Sequence, residues 1–348
     1  MYMPPNSRLR LDPKDEYTHE PEPVSNYNES MYFNAFDTAS GVGAWMRIGN
    51  RPNEGHAEMS CCVYLPDGRV GFMFERPAIS GNSEMAAGGM RFEVLEPFKQ
   101  LRVTYEGELL LMSDPHAMAN PSAAFKTYPK RPASIALEFE GVSPMHGGEI
   151  VDLNGRPIEL DPEHAVYRGH TEQHMAVSGH ITVDGHRFDI AQGTGYRDKS
   201  WGPRYWHSFY WYKWLPVAFS RDFGVLLSIK GNPDGGPNRI SGNVLRGGVY
   251  ESVIDGRIDA EYDEQWYPLR FSAWLKTAER EYTLQGRVLA TLPLRHRRKD
   301  SADTSSYTRI TESMSEYICE GQRTLGMTEF CDVMEGGVPI SVSSVGLS

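Results

Sequence analysis

A charged and aromatic segment in the middle of the chain, Gly193–Trp206, holds the residue types needed for acid and base catalysis. Its glycines allow the backbone to turn sharply. The candidates are Asp198, the cations Arg197, Lys199 and Arg204, and the aromatic residues Tyr196, Trp201 and Trp206. A carboxylate that is flanked by cations and shielded from water can have a pKa far from its solution value, as such catalysis requires. The alternative is a structural strand end, with Asp198 paired to an arginine and the tryptophans in the core.

A second candidate cluster precedes this segment. On a strand, His170, Glu172 and His174 would share one face, so two imidazoles and a carboxylate would meet. This set suggests zinc or iron, but no further ligand follows at a recognisable spacing, and metal sites are identified by complete coordination sets. We therefore predict no metal. The side chains are expected to supply hydrogen bonds, or one neutral histidine is expected to accept a proton near pH 7.

Two later segments could contribute to the same chemistry. Trp211 lies in the run Phe209–Trp214, whose alternation makes both faces of a strand aromatic. Such a strand lies in a core or lines an apolar pocket. Glu329 lies between Met327 and Phe330, so it is either a buried acid with a raised pKa, a partner of Arg204, or an ordinary exposed strand residue.

The elements that must position these residues are predicted to be strands. Asp67-Gly68, Asn154-Gly155, Asp184-Gly185 and Asp255-Gly256 each lie between short β-rich segments, as two-residue hairpin turns do. Amphipathic helices are scarce. The pattern predicts an all-β fold of closed antiparallel barrels or sandwiches. We predict an extended N-terminal arm at residues 1–30, one β-domain at 31–160, and a second at 161–348 that carries Asp198.

Composition and charge restrict the partners. The chain has 348 residues and a net charge of -11, which disfavours nucleic-acid binding. Its four cysteines do not form a disulfide framework, and the N-terminus has no secretory signal. No window is apolar enough to span a bilayer, so we predict a cytoplasmic location. A homodimer is one assembly that the sequence permits.

Several common cofactor and nucleophile motifs are missing from the sequence. There is no Gly-x-Gly-x-x-Gly, no phosphate-binding Gly-Lys-Ser/Thr loop and no Gly-x-Ser-x-Gly nucleophile elbow. Nucleotide-dependent redox chemistry, NTP hydrolysis and serine-esterase catalysis therefore lose their usual sequence support. Proton transfer without a cofactor and pure binding remain as the expected activities.

The segment 195–204, Gly-Tyr-Arg-Asp-Lys-Ser-Trp-Gly-Pro-Arg, resembles the hydroxyneurosporene synthase (carotenoid 1,2-hydratase) and AttH-like superfamily. The resemblance covers residues 35 to 345, and its specific part is the Asp-x-x-Trp-Gly core. It implies two lipocalin-like β-barrels in tandem and a ligand cavity. It also implies that Asp198 is the general acid or base. Arg204, which the carotenoid hydratases need not share, would orient Asp198 or hold a substrate oxygen. Many relatives have histidine where this chain has Lys199, so a proton relay through that position does not carry over.

Together these observations predict a cofactor-independent lyase for a hydrophobic, oxygenated small molecule, aromatic or terpenoid. It would add or remove water, or eliminate a small carbonyl fragment such as formaldehyde. Asp198 would transfer the proton, with the other candidates holding or enclosing the substrate. These are Tyr196, Arg204, His170, His174 and Glu329 near the reacting groups, and Trp201, Trp206, Trp211, Lys199 and Arg197 as binding residues. The alternatives are a non-catalytic lipocalin-like carrier and a cyclase or isomerase.

Overall fold

The computed structural model describes residues 6–159, 167–204, 210–232, 236–297 and 307–343. These residues are mostly β strand, which confirms the predicted all-β class. The chain divides into two compact units. The first comprises Met1–Val63, Gly71–Leu111 and Lys130–Ser208, and the second comprises Tyr64–Val70, Met112–Pro129 and Phe209–Ser348.

The first sheet has twelve strands. They are β1 (Ser7–Arg10), β2 (Tyr27–Asp37), β3 (Val42–Arg51), β4 (His56–Tyr64), β5 (Val70–Glu75), β6 (Met85–Ala87), β7 (Met90–Glu96), β8 (Gln100–Met112), β9 (Lys130–Gly141), β10 (His146–Asp152), β11 (Gly169–Val183) and β12 (His186–Pro203). Their order is β1-β10-β11-β12-β2-β3-β4-β5-β8-β7-β6, and β9 pairs with both β11 and β8. Because β9 joins two distant strands of this order, the sheet closes into a ring.

The second sheet has nine strands and also closes, because β13 pairs with β20. Its strands are β13 (Trp211–Ala218), β14 (Phe223–Lys230), β15 (Arg239–Arg246), β16 (Val249–Tyr262), β17 (Pro268–Thr277), β18 (Glu281–Arg297), β19 (Tyr307–Cys319), β20 (Gln322–Glu335) and β21 (Val338–Pro339). Successive strands pair antiparallel around an apolar core that includes Leu215, Phe271 and Tyr317. The short helices are α1 (Pro121–Thr127), α2 (Ile340–Ser343) and three 3-10 turns at Pro13–Glu16, Pro52–Glu54 and Pro115–Ala119.

Two of the four predicted turns, Asp67-Gly68 and Asp184-Gly185, join consecutive strands as expected. Asp184 and Gly185 have φ of 51° and 77° between the paired residues Val183 and His186, which is a two-residue hairpin turn. Asp255-Gly256 does not form a turn. Both residues lie inside β16, where the register shifts beside Asp255, and the chain turns earlier at Gly247-Gly248. A bulge and a turn use the same residue types, so the dipeptide alone does not distinguish them.

The segment around Asp198 is a straight strand and not a sharp turn. It forms the second half of β12, paired with β11 on one side and β2 on the other. Gly195 is needed there for close approach, because a Cβ at this position would lie 2.3 Å from the backbone oxygen of Asn34. The glycines of the segment therefore allow two strands to approach closely.

The compact units differ from the predicted boundary at residue 160. Strands β11 and β12 follow that residue but pair with β10, β9 and β2 of the first sheet. Gly147 and Gly148, a glycine pair that interrupts the strand pattern of the sequence near this boundary, lie inside β10. The predicted N-terminal arm also belongs to the first unit, since Ser7–Arg10 pairs with β10 and Glu16 is buried.

Two further expectations concern cysteines and membranes. Cys61, Cys62, Cys319 and Cys331 are all buried thiols without disulfides, as predicted. Among the described residues, every helix is too short or too polar to cross a membrane.

Candidate active site

The register of β11 against β12 gathers most of the predicted site residues on one face of the first sheet. Glu172 lies opposite Asp198, His174 lies opposite Tyr196, and His170 lies two residues further along β11. Because side chains alternate along strands, these five residues share that face. The predicted common face of His170, Glu172 and His174 is therefore present, and it includes Asp198.

His170 lies between two carboxylates. Its Nε2 contacts Asp198 Oδ2 directly, and its Nδ1 is 4.0 Å from Glu172 Oε2. The ring of Tyr167 stacks on the imidazole with 4.6 Å between centroids. The Asp198 side chain retains 22% of its exposed area and His170 retains 18%, so both remain accessible to a small molecule.

The charges around Asp198 keep it ionised. Burial opposes its ionisation, but the charge and hydrogen bond of His170, with the charges of Arg204 and Arg47, hold its pKa below the ordinary value of 3.8. An ionised Asp198 in contact with His170 can accept a proton from a ligand. The proton held by the pair can be returned to a ligand.

A fourth titratable group borders this cluster. His146 of β10 lies opposite Glu172. Burial lowers the pKa of His146; the charge of Glu172 opposes this effect and the charge of His170 adds to it. His146 is therefore expected to be neutral near pH 7, so it could accept a proton. Only strand pairing brings His146 near Glu172, so the local sequence carries no signal for its place at the site.

Strands β2 and β3 extend the same face with aromatic and basic residues. Tyr32 lies opposite Asp198 in the β12–β2 pair, and Arg47 lies opposite Tyr32 in the β2–β3 pair. The Tyr32 ring stacks near Trp45, with 6.2 Å between centroids. The rings near Asp198 are thus Tyr32, Tyr167 and Trp45. Only long-range pairing reveals them.

Tyr196 and His174 occupy the next row of the face. Both are buried, and their rings meet edge to face at 4.8 Å. The backbone N–H of Tyr196 donates to Asn34 Oδ1 at 2.8 Å. Arg204 lies beyond the strand end and donates from Nη2 to Ser200 Oγ at 2.9 Å, so its guanidinium is held near the Asp198 face.

Arg197, Lys199 and Trp201 lie on the opposite face of β12. Both cations are buried in ion pairs, because Arg197 Nη2 donates to Glu16 Oε2 at 2.7 Å and Lys199 Nζ donates to Glu29 Oε1 at 2.6 Å. Trp201 lies 4.7 Å from Lys199 Nζ, measured to the ring centroid, and stacks on His19. The structure therefore places these three predicted binding residues away from Asp198. Side chains alternate between the two faces of a strand, so the separation of these three residues from Asp198 follows once the segment is assigned to a strand.

The remaining candidates lie elsewhere in the chain. Trp211 and Glu329 belong to the second unit, where Trp211 packs in the apolar core and Glu329 accepts a short hydrogen bond from Tyr212. Glu329 also lies directly opposite Glu312 in the β19–β20 pair. Trp206 lies outside the described residues.

His170, Glu172 and Asp198 are also the residues best placed to hold a metal. One ligand atom from each lies within 4.8 Å of the others. One imidazole and two carboxylates suit a divalent cation. The same two residues, His170 and Asp198, are in direct contact through Nε2 and Oδ2, as the members of an acid–base pair would be.

Comparisons with known proteins agree with this fold. Residues 12–334 match the family model described as "Domain of unknown function (DUF7064)". No curated protein has significant sequence similarity to this chain. The fold is similar to that of an AttH protein from Nitrosomonas europaea, with a TM-score of 0.59 and 12% identity over 93% of this chain and 97% of that one.

Kievitone hydratase from Nectria haematococca is also similar, with a TM-score of 0.52 and 9% identity over 90% of each chain. At such identities the likeness concerns the fold alone, and it confirms the tandem lipocalin-like architecture implied by the motif. The match to the family model covers most of the sequence. The chain therefore belongs to the DUF7064 family, on a fold that it shares with AttH and kievitone hydratase.

Proposed function

We propose that this protein is a cofactor-independent lyase that adds or removes water on a hydrophobic, oxygenated small molecule. The observation that carries the proposal is the direct contact between Asp198 and His170, with Glu172 beside them on the same face. Both members of the pair remain partly exposed, so a ligand can reach them. One similar fold supplies a precedent, since it belongs to a protein named as a hydratase.

The Asp198–His170 pair would be the proton-transfer unit. Asp198 is held ionised, so it is suited to take a proton from carbon during loss of water. The proton that the pair holds would be given to the departing hydroxyl. In the reverse direction the same two groups would deliver a proton to carbon and activate water.

The neighbouring residues would bind the substrate. Tyr196 and His174 lie next along the face and would hold substrate hydroxyls, while Tyr32 and Trp45 would contact its apolar surface. Arg204 would contribute charge near Asp198. Arg197, Lys199 and Trp201 would instead fix β12 in place through their buried contacts. Participation of Glu329, Trp206 and Trp211 stays a prediction.

The test is incubation of the full-length protein with a panel of hydrophobic alcohols, enones and prenylated phenols, followed by mass spectrometry. We expect the wild-type protein to change the mass of at least one compound by one water. Asp198→Asn should abolish this change, whereas Asp189→Asn, an exposed aspartate on the same strand, should retain it.

Other outcomes point to the alternative functions. A compound that returns unchanged after binding would indicate a carrier, and an isomer of unchanged mass would indicate a cyclase or isomerase. Wild-type turnover by Asp198→Asn would remove the Asp198–His170 pair from the mechanism.

A further inference from the structure

Two buried hydrogen-bond donors on the Asp198 face have no acceptor. They are Nδ2 of Asn34 and Nη2 of Arg47. Within the residues that the structure describes, neither atom has a hydrogen-bond partner, and neither is accessible to solvent. Both residues share the face of Asp198, since Asn34 lies two residues from Tyr32 on β2 and Arg47 lies opposite Tyr32 on β3.

The orientation of the Asn34 amide is fixed by its surroundings. Its Oδ1 accepts the backbone N–H of Tyr196 at 2.8 Å, so this end of the amide must be the oxygen. Nδ2 is therefore the end left unpaired. The residue is 1% exposed. As a diagonal neighbour in adjacent strands, Asn34 lies about 7–8 Å from Asp198 between Cα atoms.

Arg47 is held on the other side of Asp198 along the sheet. Its Nη1 donates to Glu58 Oε2 at 3.4 Å. Its guanidinium lies over Gly49, where a Cβ would come within 2.7 Å of Nη2. Gly49 lies opposite Ser30, whereas Arg47 itself lies opposite Tyr32. Nη2 of Arg47 is therefore displaced along β3, past the position of Asp198 and in the direction away from Asn34. The charge of Arg47 still contributes to the low pKa of Asp198.

An unpaired buried donor is unfavourable, because it has given up its hydrogen bonds to water without replacement. Such groups are rare in native proteins, and each one calls for an explanation, which at a site can be a missing water or ligand atom. Both unpaired groups can only donate. A carbonyl or carboxylate oxygen suits them, since it brings lone pairs and no proton that would itself need an acceptor.

We propose that the substrate is a carbonyl compound that presents its carbonyl oxygen to Asn34 and a second acceptor oxygen to Arg47. The carbon that Asp198 deprotonates then lies between these two oxygens, next to the carbonyl. This inference rests on the proposed lyase function and specifies its substrate class. It makes Asn34 a catalytic residue, because its donor stabilises the charge that develops on the carbonyl oxygen.

The reaction balances without a co-reactant. Asp198 takes the proton from the carbon beside the carbonyl, and the C–H electron pair forms the C=C bond of an enolate while the carbonyl electrons move to the oxygen held by Asn34. The carbonyl then re-forms, and the C=C electron pair of the enolate forms a new C=C bond to the neighbouring carbon as the C–O bond of its hydroxyl group breaks. That hydroxyl leaves as water with the proton held by His170. Asp198 passes its new proton to His170 across their direct contact.

The test uses 4-nitrophenol as a probe, because its phenolate resembles an enolate and its nitro group supplies a second acceptor. Binding is measured in Asp198→Asn, whose neutral side chain resembles the protonated Asp198 that accompanies an enolate. We expect saturable binding in which the absorbance of the phenolate increases at a fixed pH. The bound probe is then ionised more readily than the free probe.

The matched variants separate Asn34 from general effects. Asn34→Asp, added to Asp198→Asn, keeps the oxygen that accepts the Tyr196 N–H but replaces the donor by a carboxylate oxygen. It should weaken phenolate binding at least about tenfold, as expected for loss of a hydrogen bond to a charged group. Arg47→Gln should weaken binding similarly. Asn243→Asp, an equally buried asparagine of the second unit, should leave binding unchanged.

The inference is overturned if Asp198→Asn does not bind the probe, if the probe binds as the neutral phenol, or if Asn34→Asp binds it within twofold. These results are independent of the mass-spectrometric test. A wild-type protein that turns over a panel compound but fails the phenolate test remains a lyase with another substrate class. Phenolate binding without turnover by any panel compound supports the substrate class and leaves the reaction unsupported.

Discussion

Among single residues, the carboxylate of Asp198 and the imidazole of His170 form the proposed proton-transfer pair. Asp198 alone in a buried environment would be protonated more readily than in water. The contact with His170 reverses this tendency and keeps the pKa of Asp198 below 3.8. The role of His170 is therefore electrostatic as well as chemical.

Replacing His170 should alter both the rate and its pH dependence. In the wild-type protein, the rate of water loss should fall only at pH values below the ordinary pKa range of a carboxyl group. The lowered pKa of Asp198 keeps the base ionised down to that pH. His170→Gln should lower the rate about 10²–10⁴-fold and shift this acidic limb to higher pH. The pH–rate profile of each protein gives the comparison. His180→Gln on the same strand should behave as the wild type, and an unshifted limb in His170→Gln would refute the electrostatic role.

At the scale of elements, β12 is held by different chemistry on its two faces. The face opposite Asp198 is tied to the N-terminal segment by the Glu16–Arg197 ion pair and to β2 by the Glu29–Lys199 ion pair. Glu29 also accepts hydrogen bonds from the backbone and ring of His19 and from Asn82. These contacts fix β12 against β2 and thereby position the residues of the other face.

Acid should weaken this attachment. Burial opposes ionisation of Glu29, but Lys199 and His19 lower its pKa to about 2 from an ordinary value of 4.5. A group with a lowered pKa contributes stability that is present above its unfolded-state pKa and is lost as the pH falls through its folded-state pKa. The difference between the folded-state and unfolded-state pKa of Glu29 corresponds to about 3 kcal/mol in the free energy of unfolding. Glu29→Gln should therefore be much less stable than the wild type at pH 6 and should lose less stability between pH 5 and pH 2.

Urea unfolding at several pH values measures this effect. Glu96→Gln, which removes an exposed carboxylate of β7, serves as the control and should retain the pH dependence of the wild type. Equal pH dependence in Glu29→Gln and the wild type would show that Glu29 is not the titrating group.

The strands could be predicted from the sequence more completely than the contacts between distant strands that form the candidate site. Hairpin turns and alternation are local, so β14 and the hairpin at Asp184-Gly185 follow from short segments. The site depends on β2 pairing with β12, which are separated by more than 150 residues, so Tyr32 and Arg47 had no local signal. Arg197, Lys199 and Trp201 are predicted to bind substrate because they are close to Asp198 in the sequence, but alternation along β12 places them on its other face.

At the scale of the whole molecule, each unit is a closed sheet, and the second contains a buried acid of its own. Asp332 is 5% exposed and accepts the backbone N–H of Ser341 at 3.1 Å. Burial raises its pKa to about 6, although Ser341, Lys213 and Arg309 act in the opposite direction. Protonated Asp332 contributes stability that is fully present at pH values below 3.8, the ordinary pKa of an aspartate. This stability is lost as the pH rises through the folded-state pKa of about 6.

A neutral replacement should therefore stabilise the protein in alkaline solution. Asp332→Asn keeps an acceptor oxygen for Ser341 and removes the buried charge, so it should be more stable than the wild type by up to about 3 kcal/mol at pH 8. At pH 3.5 the two proteins should be nearly equal. Urea unfolding at both pH values checks this, with the exposed Asp259→Asn as control. A variant that is less stable than the wild type at pH 8 would show that the charge of Asp332 is stabilising.

Proton transfer between Asp198 and a carbon atom of the substrate can be followed with deuterium from the solvent. In D₂O, the wild-type protein should introduce one deuterium at the carbon that gains the proton, as seen by mass spectrometry of a compound that it hydrates. Asp198→Asn should introduce none, and Asp189→Asn should match the wild type. Equal deuterium incorporation by Asp198→Asn and the wild type would contradict the account.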